Sequence, residues 1–191
     1  MNRLSAYFPL IIVVFLAGTT FWLERIVSNE ARNGLGNKRH DPDQIVNQVS
    51  IDRFDNTGRR ISRITASQLQ HYPDDDTAEL ANPVITLTRD ERPTVFSSKT
   101  AHADNASKVV VMRDTVRGNR AAGVDSAMQT LETEELTVLT DDEIARTDKP
   151  VRMTQGASTL SGIGAEWNNL SGIFTIHHEV RAVIMPKAPQ P

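Results

Sequence analysis

The strongest constraint on the fold is a series of short apolar runs that begins after Gln44 and continues almost to the end of the chain. Clusters of turn-forming residues separate these runs, for example Asp55–Gly58 and Pro73–Asp76. Many short β-type runs at roughly ten-residue spacing are typical of sandwiches, jelly rolls and solenoids. Residues 127–136 have some helical character, but their threonines weaken it because β-branched side chains lower helix propensity. The sequence therefore predicts an all-β domain over residues 44–185.

A loose repeat runs through this β-rich region. Its marker is a valine that follows either a polar pair or a polar residue and a proline, and it occurs at Val84, Val116, Val151 and Val180. A small or aliphatic residue precedes each marker by 15 to 18 residues, at Ala66, Ala101, Leu136 and Ala165. Successive markers are 32, 35 and 29 residues apart. A repeat of this length predicts stacked β layers that share a core, because one unit alone cannot bury its apolar face.

The N-terminal region has a different character. Residues 4–23 contain no charged side chain and are rich in Leu, Ile, Val and Phe. As a helix they would span roughly 30 Å, the thickness of the hydrocarbon layer of a membrane. We expect an uncleaved transmembrane helix after a short head at residues 1–3. The alternative, a cleaved signal peptide, stays open, although Ala17-Gly18-Thr19 is a poor cleavage site and the apolar run continues beyond it.

Two further segments complete the predicted organisation. Residues 24–43 carry mixed charge with Gly34, Gly36 and Pro42, which is typical of a linker. Residues 186–191 form a proline-rich tail. Lys and Arg residues flank both sides of the predicted span, so charge alone does not decide its orientation.

Composition excludes several classes of protein. The net charge is −3, and only 10 of the 191 residues are aromatic. A nucleic-acid-binding protein would show a basic surface or aromatic side chains for stacking on bases, so no nucleic-acid partner is predicted. The chain has no cysteine, which excludes disulfides, thiol nucleophiles and cysteine-ligated zinc.

Catalytic and metal-binding patterns are also missing from the sequence. His177 and His178 are neighbours in a strand-like run, so their side chains should face opposite sides. Asp74-Asp75-Asp76 fits a turn after Pro73 and lacks the remaining residues of a calcium loop. Neither a phosphate-binding loop nor a nucleophile elbow occurs. The sequence therefore predicts no enzyme activity, catalytic residue, metal or cofactor.

Several short motifs, together with the N-terminal span and the linker, follow a recognisable order. They are Ile51–Gly58, Ile64–Ala66, Asn82–Val84, Ser97–Ala101, Gly162–Gly164 and Val180–Arg181. In this layout the chain resembles the LptC family of lipopolysaccharide export systems. The resemblance implies a single-pass inner-membrane protein with a periplasmic domain, folded as a twisted, open, taco-like β-jelly roll. It also implies that the groove of this domain holds acyl chains of lipopolysaccharide, and that the partners are the LptBFG ABC transporter and periplasmic LptA.

A groove for acyl chains would be lined by apolar side chains of the strand-like runs. The expected lining is Val49, Ile51, Ile64, Ala66, Leu80, Val84, Phe96, Val110, Met112, Leu136, Val138, Phe174 and Ile176. Part of this set could equally be ordinary core. The expected function is to accept lipopolysaccharide from LptBFG and pass it to LptA. The alternative from another class is a membrane-tethered scaffold that binds only proteins through the edges of its sheet.

The two ends of the β-rich region are the expected docking edges. The last apolar run, expected to dock the downstream partner LptA, is Val180, Arg181, Ala182, Val183, Ile184 and Met185. The prolines that follow cannot extend a strand because proline lacks the backbone donor. The opposite edge, expected to face the transporter, contains Ile45, Val46, Val49 and Ile51. In the alternative arrangement, the last run is internal and the proline-rich tail folds back over it.

Overall fold

Two separate units make up the chain, residues 1–40 and residues 41–191. The computed structural model describes residues 12–25, 40–88, 92–104, 107–123 and 126–185. In the first unit, residues 12–25 form a helix. Within the described part of the chain, no helix has the length and hydropathy needed to cross a membrane. Residues 4–11 of the predicted span, most of the linker and the proline-rich tail lie outside the described residues.

An antiparallel sheet of eleven described strands forms the second unit. The strands are β1 (Gln44–Phe54), β2 (Arg60–Tyr72), β3 (Thr77–Ala81), β4 (Val84–Leu87), β5 (Thr94–Ser97), β6 (Thr100–Asp104), β7 (Val109–Arg120), β8 (Gln129–Leu139), β9 (Ile144–Gln155), β10 (Ser158–Asn168) and β11 (Ile173–Val183). The order across the sheet is β11-β10-β9-β8-β7-β5-β4-β2-β3-β6, with β1 paired to β2 and β6 also paired to β7. The prediction of an all-β domain is confirmed.

Two pairs of short strands are each the halves of one interrupted strand. β3 and β4 both pair with β2, and they meet at Asn82-Pro83. β5 and β6 both pair with β7, and they meet at Ser98-Lys99. Backbone hydrogen bonds continue across these interruptions, from Asn82 N to Lys99 O at 2.7 Å and from Lys99 N to Asp114 O at 3.4 Å. The sheet is therefore a meander of long strands, two of which are interrupted near their middle.

We call the line of these interruptions the crease. Its members have left-handed backbone or adjoin a shift in pairing register, and they are Gln48 in β1, Asn82, Asp114 and Thr115 in β7, Gly164 in β10 and Glu179 in β11. Positive φ in non-glycine residues and bulges bend a strand and increase its twist. Val116 and Val180 directly follow residues of this line, and Val84 follows Asn82 after one proline. Val151 lies beside the register shift between β8 and β9. The repeat thus marks where each hairpin bends.

The bent sheet packs onto itself. We call the two sides of the crease the β3–β6 half and the β4–β5 half, after the short strands each contains. Phe96 in β5 contacts Trp167 in the other half, with ring centroids 6.1 Å apart and planes at 88°. Buried apolar residues of both halves form one cluster. The result is a two-layered, jelly-roll-like structure with its apolar surface inside.

Candidate functional site: an apolar interior with a polar rim

The interior between the two sheet halves contains most of the residues expected to line a groove. Eight of them are buried in the shared cluster: Ile64, Ala66, Leu80, Phe96, Val110, Met112, Leu136 and Val138. They lie on β2, β3, β5, β7 and β8. The sheet therefore brings residues that are far apart in the sequence into one interior. These eight side chains are buried because side chains alternate along a strand, so that every second residue faces the interior.

Four more of the expected residues are half-buried and pack against that cluster. They are Val49 and Ile51 on β1 and Phe174 and Ile176 on β11. These strands are the two ends of the sheet, and their inward-facing apolar side chains are only half-buried. Trp167 lies against Phe174 with ring centroids 5.8 Å apart. The interior is therefore most accessible near its ends.

Val84 is a correction to the expected lining. It lies on the opposite face of β4 from buried Ile85 and Leu87, and it is not part of the apolar cluster. The reason is the crease, since the left-handed backbone of Asn82 and the following Pro83 reset the alternation between β3 and β4. An alternation continued unbroken from buried Leu80 would place Val84 in the interior, which the structure does not show.

Several interior residues were missed by the sequence-based prediction. These are Ile85, Leu87, Val116, Leu131, Val151, Met153 and Trp167, all buried in the same cluster. A local signal was present for some of them, because Ile85 and Leu87 alternate with Val84 and Thr86 in one short run. Trp167 lies opposite Phe174 in the β10–β11 hairpin, whereas its other aromatic partner, Phe96, comes from the distant strand β5 and gave no local signal.

Polar contacts join the two halves on the side opposite the crease. Thr94 Oγ1 in the β4–β5 half donates to Asn169 Oδ1 in the β3–β6 half at 2.9 Å. Asn169 Nδ2 in turn donates to Glu143 Oε2 at 2.6 Å, and all three residues are buried. A second contact joins Arg53 Nη1 of β1 to Asp141 Oδ1 of the β8–β9 turn at 3.0 Å. We call this side the rim.

Both ends of the described sheet are free edges. β1 pairs only with β2, and β11 pairs only with β10, among the strands that the structure describes. Exposed apolar side chains accompany each edge, including Ile45 and Val46 on β1 and Val180 and Val183 on β11. An uncovered apolar edge favours pairing with another strand.

The expected final strand is shorter than its apolar run. β11 ends at Val183, so Ile184 and Met185 lie beyond the strand. The backbone N–H of Met185 donates instead to Ser158 Oγ at 3.1 Å. The backbone of Met185 is therefore bound by a side chain of β10 and not by backbone pairing between β10 and β11. In the alternative arrangement, the proline-rich tail folds back over this strand, and that tail lies outside the described residues.

Two clusters of polar and charged side chains lie along the pairing of β1 with β2. Arg63 Nε and Nη2 donate to the two carboxylate oxygens of Asp52 at 2.6 and 2.8 Å, and these hydrogen bonds lower the pKa of Asp52 and raise the pKa of Arg63. At the other end of β1, His71 contacts Asp43 at 2.7 Å and Asp76 at 3.2 Å. These carboxylates raise the pKa of His71. Charge pairing thus stabilises the position of one free edge.

Comparison with known proteins agrees with this arrangement. Residues 10–185 match the sequence model of the family described as "Lipopolysaccharide-assembly, LptC-related". Comparison with curated protein sequences gave no match. Among solved structures, the chain is similar to LptH from Pseudomonas aeruginosa, described as the LptA-homologous periplasmic component of the conserved lipopolysaccharide transport device. That likeness covers 65% of this chain and 95% of LptH, with a TM-score of 0.51 and 13% sequence identity, and it shows a shared fold.

The match to the family extends over the helix, the linker and all eleven strands. Members of this family are components of lipopolysaccharide transport, and the family is not a known enzyme family. Since the matched residues cover most of its length, the chain belongs to the LptC family of lipopolysaccharide-assembly proteins.

Proposed function

We propose that this protein accepts lipopolysaccharide from the LptBFG transporter at the inner membrane and passes it to LptA in the periplasm. The observation that carries the proposal is an apolar interior that extends between two free sheet edges. Each methylene of an acyl chain left in water costs about 0.8 kcal/mol, so transfer through an aqueous compartment requires such an interior. An opening along the rim would leave the sugar part of the lipid outside.

Residues 4–23 would anchor the protein as a single-pass span, with residues 24–191 in the periplasm. The support is the uncharged apolar segment itself and the composition change at Glu24. Tyr7 and Trp22 lie near the two ends of this segment, where aromatic side chains favour the headgroup region.

Lipid would enter the interior where it is least covered, at the two ends of the sheet. Half-buried Val49, Ile51, Phe174 and Ile176 are the first side chains that an acyl chain would contact there. The eight buried residues of the expected lining would contact lipid only after the two halves move apart at the rim. Both groups therefore remain in the proposed lining.

The edges of the sheet supply the proposed partner contacts. The β11 edge would dock LptA by β-augmentation, which continues the interior from one protein to the next. The β1 edge, with Ile45, Val46, Val49 and Ile51, would face the transporter. The support for both is the exposed apolar side chains at free edges.

One observation favours the second candidate, a membrane-tethered scaffold that binds only proteins. Eight of the thirteen expected lining residues are already buried against one another, so the interior is filled without a lipid. A scaffold that binds only proteins would use the edges of the sheet and would not need space for lipid in the interior.

Photo-crosslinking in living cells distinguishes these two functions. A photo-reactive amino acid at Phe174 or Phe96 should give adducts with lipopolysaccharide, and the same group at exposed Arg117 on the outer face of β7 should not. Adducts with proteins alone at both interior positions would favour the scaffold. Mass spectrometry of the purified full-length protein should identify lipopolysaccharide, LptBFG and LptA as bound partners.

A further inference from the structure

Trp167 on β10 carries a hydrogen-bond donor into the apolar interior. The residue is 3% exposed, and its Nε1 has no hydrogen-bond partner within the described part of the chain. Nε1–H is the only polar group of this side chain, and it can donate but not accept. Buried indole N–H groups usually have a partner, because a donor that is removed from water without an acceptor destabilises the fold. This position therefore favours an acceptor that comes from outside the protein.

The neighbours of the indole are hydrocarbon groups. Directly opposite Trp167 on the same face of the sheet are Phe174 of β11 and Ala145 of β9. The rings of Phe96 and Phe174 pack against the indole, with ring centroids 6.1 and 5.8 Å away. None of these three neighbours has an oxygen or nitrogen atom in its side chain, so none supplies a conventional acceptor for the indole N–H.

Small side chains continue the interior face beside the indole. The register row that starts at Trp167 crosses the β3–β6 half through four buried residues, Ala145, Val138, Val110 and Ala103. Alanine and valine project less far from a sheet than larger residues, so an acyl chain has space along this row when the two halves move apart. On its other side Trp167 adjoins Phe174, which is half-buried at the β11 end of the sheet. The donor therefore lies near the accessible end of an apolar wall.

A lipid carries a suitable acceptor where its acyl chain is joined to the headgroup. The hydrocarbon part of the chain has no acceptor, whereas an ester or amide linkage has a carbonyl oxygen that accepts from N–H groups. Sugar hydroxyls and phosphates also accept, but their transfer from water into an apolar interior is costly. The carbonyl is attached directly to the hydrocarbon, so it can follow the chain as far as the indole.

We propose that Trp167 Nε1–H donates a hydrogen bond to an ester or amide carbonyl of a lipid acyl chain held in the interior. This inference rests on the proposed function, and it adds one directional contact to an otherwise apolar surface. The contact limits how far the chain enters, because the carbonyl marks the junction between chain and headgroup. Bound lipid pairs a donor that the described part of the fold leaves unpaired, so the indole N–H contributes to binding and not to folding.

The first experiment replaces Trp167 by β-(3-benzothienyl)alanine, in which sulfur takes the place of the N–H while the ring keeps nearly its size and shape. The same replacement at exposed Trp22, the other tryptophan of the chain, is the matched control. The full-length proteins are purified in dodecyl maltoside, a detergent without carbonyl groups, and bound lipid is removed. Binding of lipopolysaccharide and the temperature of thermal unfolding are then measured for each protein.

Lipopolysaccharide should bind the Trp167 variant about five- to tenfold more weakly than wild type, the loss expected for one neutral hydrogen bond. Without lipid, the unfolding temperature of this variant should equal or exceed that of wild type, because the variant buries no unpartnered donor at this position. The Trp22 variant should match wild type in both measurements. A synthetic glycolipid with ester-linked chains should reproduce the difference in affinity, and its ether-linked analogue, which lacks acyl carbonyls, should bind both proteins equally.

A second experiment detects the hydrogen bond without changing Trp167. In a full-length Trp22→Phe protein with isotope-labelled tryptophan, Trp167 gives the single indole N–H signal in the NMR spectrum. Lipopolysaccharide should move the proton resonance downfield, because an unpartnered N–H gains an acceptor. The ether-linked glycolipid should cause a much smaller shift.

Several outcomes would overturn the inference. It fails if the Trp167 variant binds lipopolysaccharide as wild type does, or if the indole signal does not move when this lipid binds. It also fails if the variant is less stable than wild type without lipid, since Nε1–H would then have a partner such as water or the face of a phenylalanine ring. Equal loss of affinity for the ester- and ether-linked glycolipids would show that the carbonyl is not recognised. If wild type binds no lipopolysaccharide, the proposed function fails as well, so the two failures are distinguishable.

Discussion

Three buried polar side chains, Thr94, Asn169 and Glu143, join the two sheet halves at the rim. Asn169 is the central member, because its amide accepts from Thr94 and donates to Glu143. Buried polar groups are tolerated when each has a partner, and they are costly when one partner is removed. These residues therefore stabilise the folded-over sheet and determine how easily it opens.

Asn169→Ala should lower the free energy of unfolding by about 2 to 3 kcal/mol, because Thr94 and the Glu143 carboxylate would lose their buried partner. Urea unfolding followed by circular dichroism measures this loss. Asn119→Ala, at an exposed position of β7, is the control and should change stability by less than about 0.5 kcal/mol. Equal stability of Asn169→Ala and wild type would mean that the rim contact contributes nothing.

His71 makes the attachment of β1 depend on pH. Its contacts with Asp43 and Asp76 raise its pKa above the ordinary value of about 6.5. A raised pKa in the folded state means that these contacts stabilise the protein fully below pH 6.5, and that the contribution is lost as pH rises through the folded pKa. We expect the imidazole signals of His71 to titrate above pH 6.5 by NMR, and to titrate at lower pH in Asp43→Asn. Identical titration of the two proteins would contradict the role of Asp43.

Among the strands, β1 and β11 differ from the rest because each has a single described partner. Their exposed apolar side chains would favour aggregation if nothing covered them. β1 is held by the Asp52–Arg63 and Asp43–His71 contacts, which lie at opposite ends of its pairing with β2. The pairing of β11 with β10 contains a register shift between Ser161 and Ile163 of β10.

Val183→Pro should abolish binding of LptA while leaving membrane insertion and association with the transporter intact. Proline removes a backbone donor at the end of β11, and a strand that docks by β-augmentation depends on such donors. The measurement is a pull-down of LptA by the full-length protein. Val183→Ala keeps the donor and should retain most of the binding. Wild-type recovery of LptA by the Val183→Pro protein would show that this edge is not the docking site.

The whole molecule consists of two units that divide near residue 40. The sheet of the second unit forms its own apolar cluster, which among the described residues runs from Ile64 to Trp167 and has half-buried neighbours on β1, β2, β10 and β11. A core of this kind is the basis for independent folding. The N-terminal segment should therefore be dispensable for the fold of the β domain.

Removal of residues 1–23 should give a soluble protein with a β-type circular dichroism spectrum and cooperative thermal unfolding. Nothing in the shared cluster is lost by this truncation. The full-length protein in detergent serves as the comparison and should unfold at a similar temperature. A predominantly helical spectrum, or insoluble product under all conditions, would contradict the division into two units.

The sequence by itself determined the class of fold, because alternation of apolar residues and turn chemistry are local properties. The polar pairs before Val116 and Val180 lie on the crease, although the repeat that contains them predicted stacked layers and not bends. Twelve of the thirteen residues expected in the interior lie in or against the apolar cluster for the same reason, because most of them are in regular stretches of strand. Whether they contact lipid remains a prediction.

Only the tertiary structure decided which strand faces meet and where the sheet closes. Val84 was assigned to the wrong face because one left-handed residue at Asn82 shifts the alternation, and side-chain pattern does not report φ. Thr94 and Asn169 are 75 residues apart, and their contact arises when a sheet bent along its whole width brings its two halves together. Arg92 and Arg120 line one depression together with residues 169–172 of the β10–β11 turn for the same reason, since no local pattern brings these parts of the chain together.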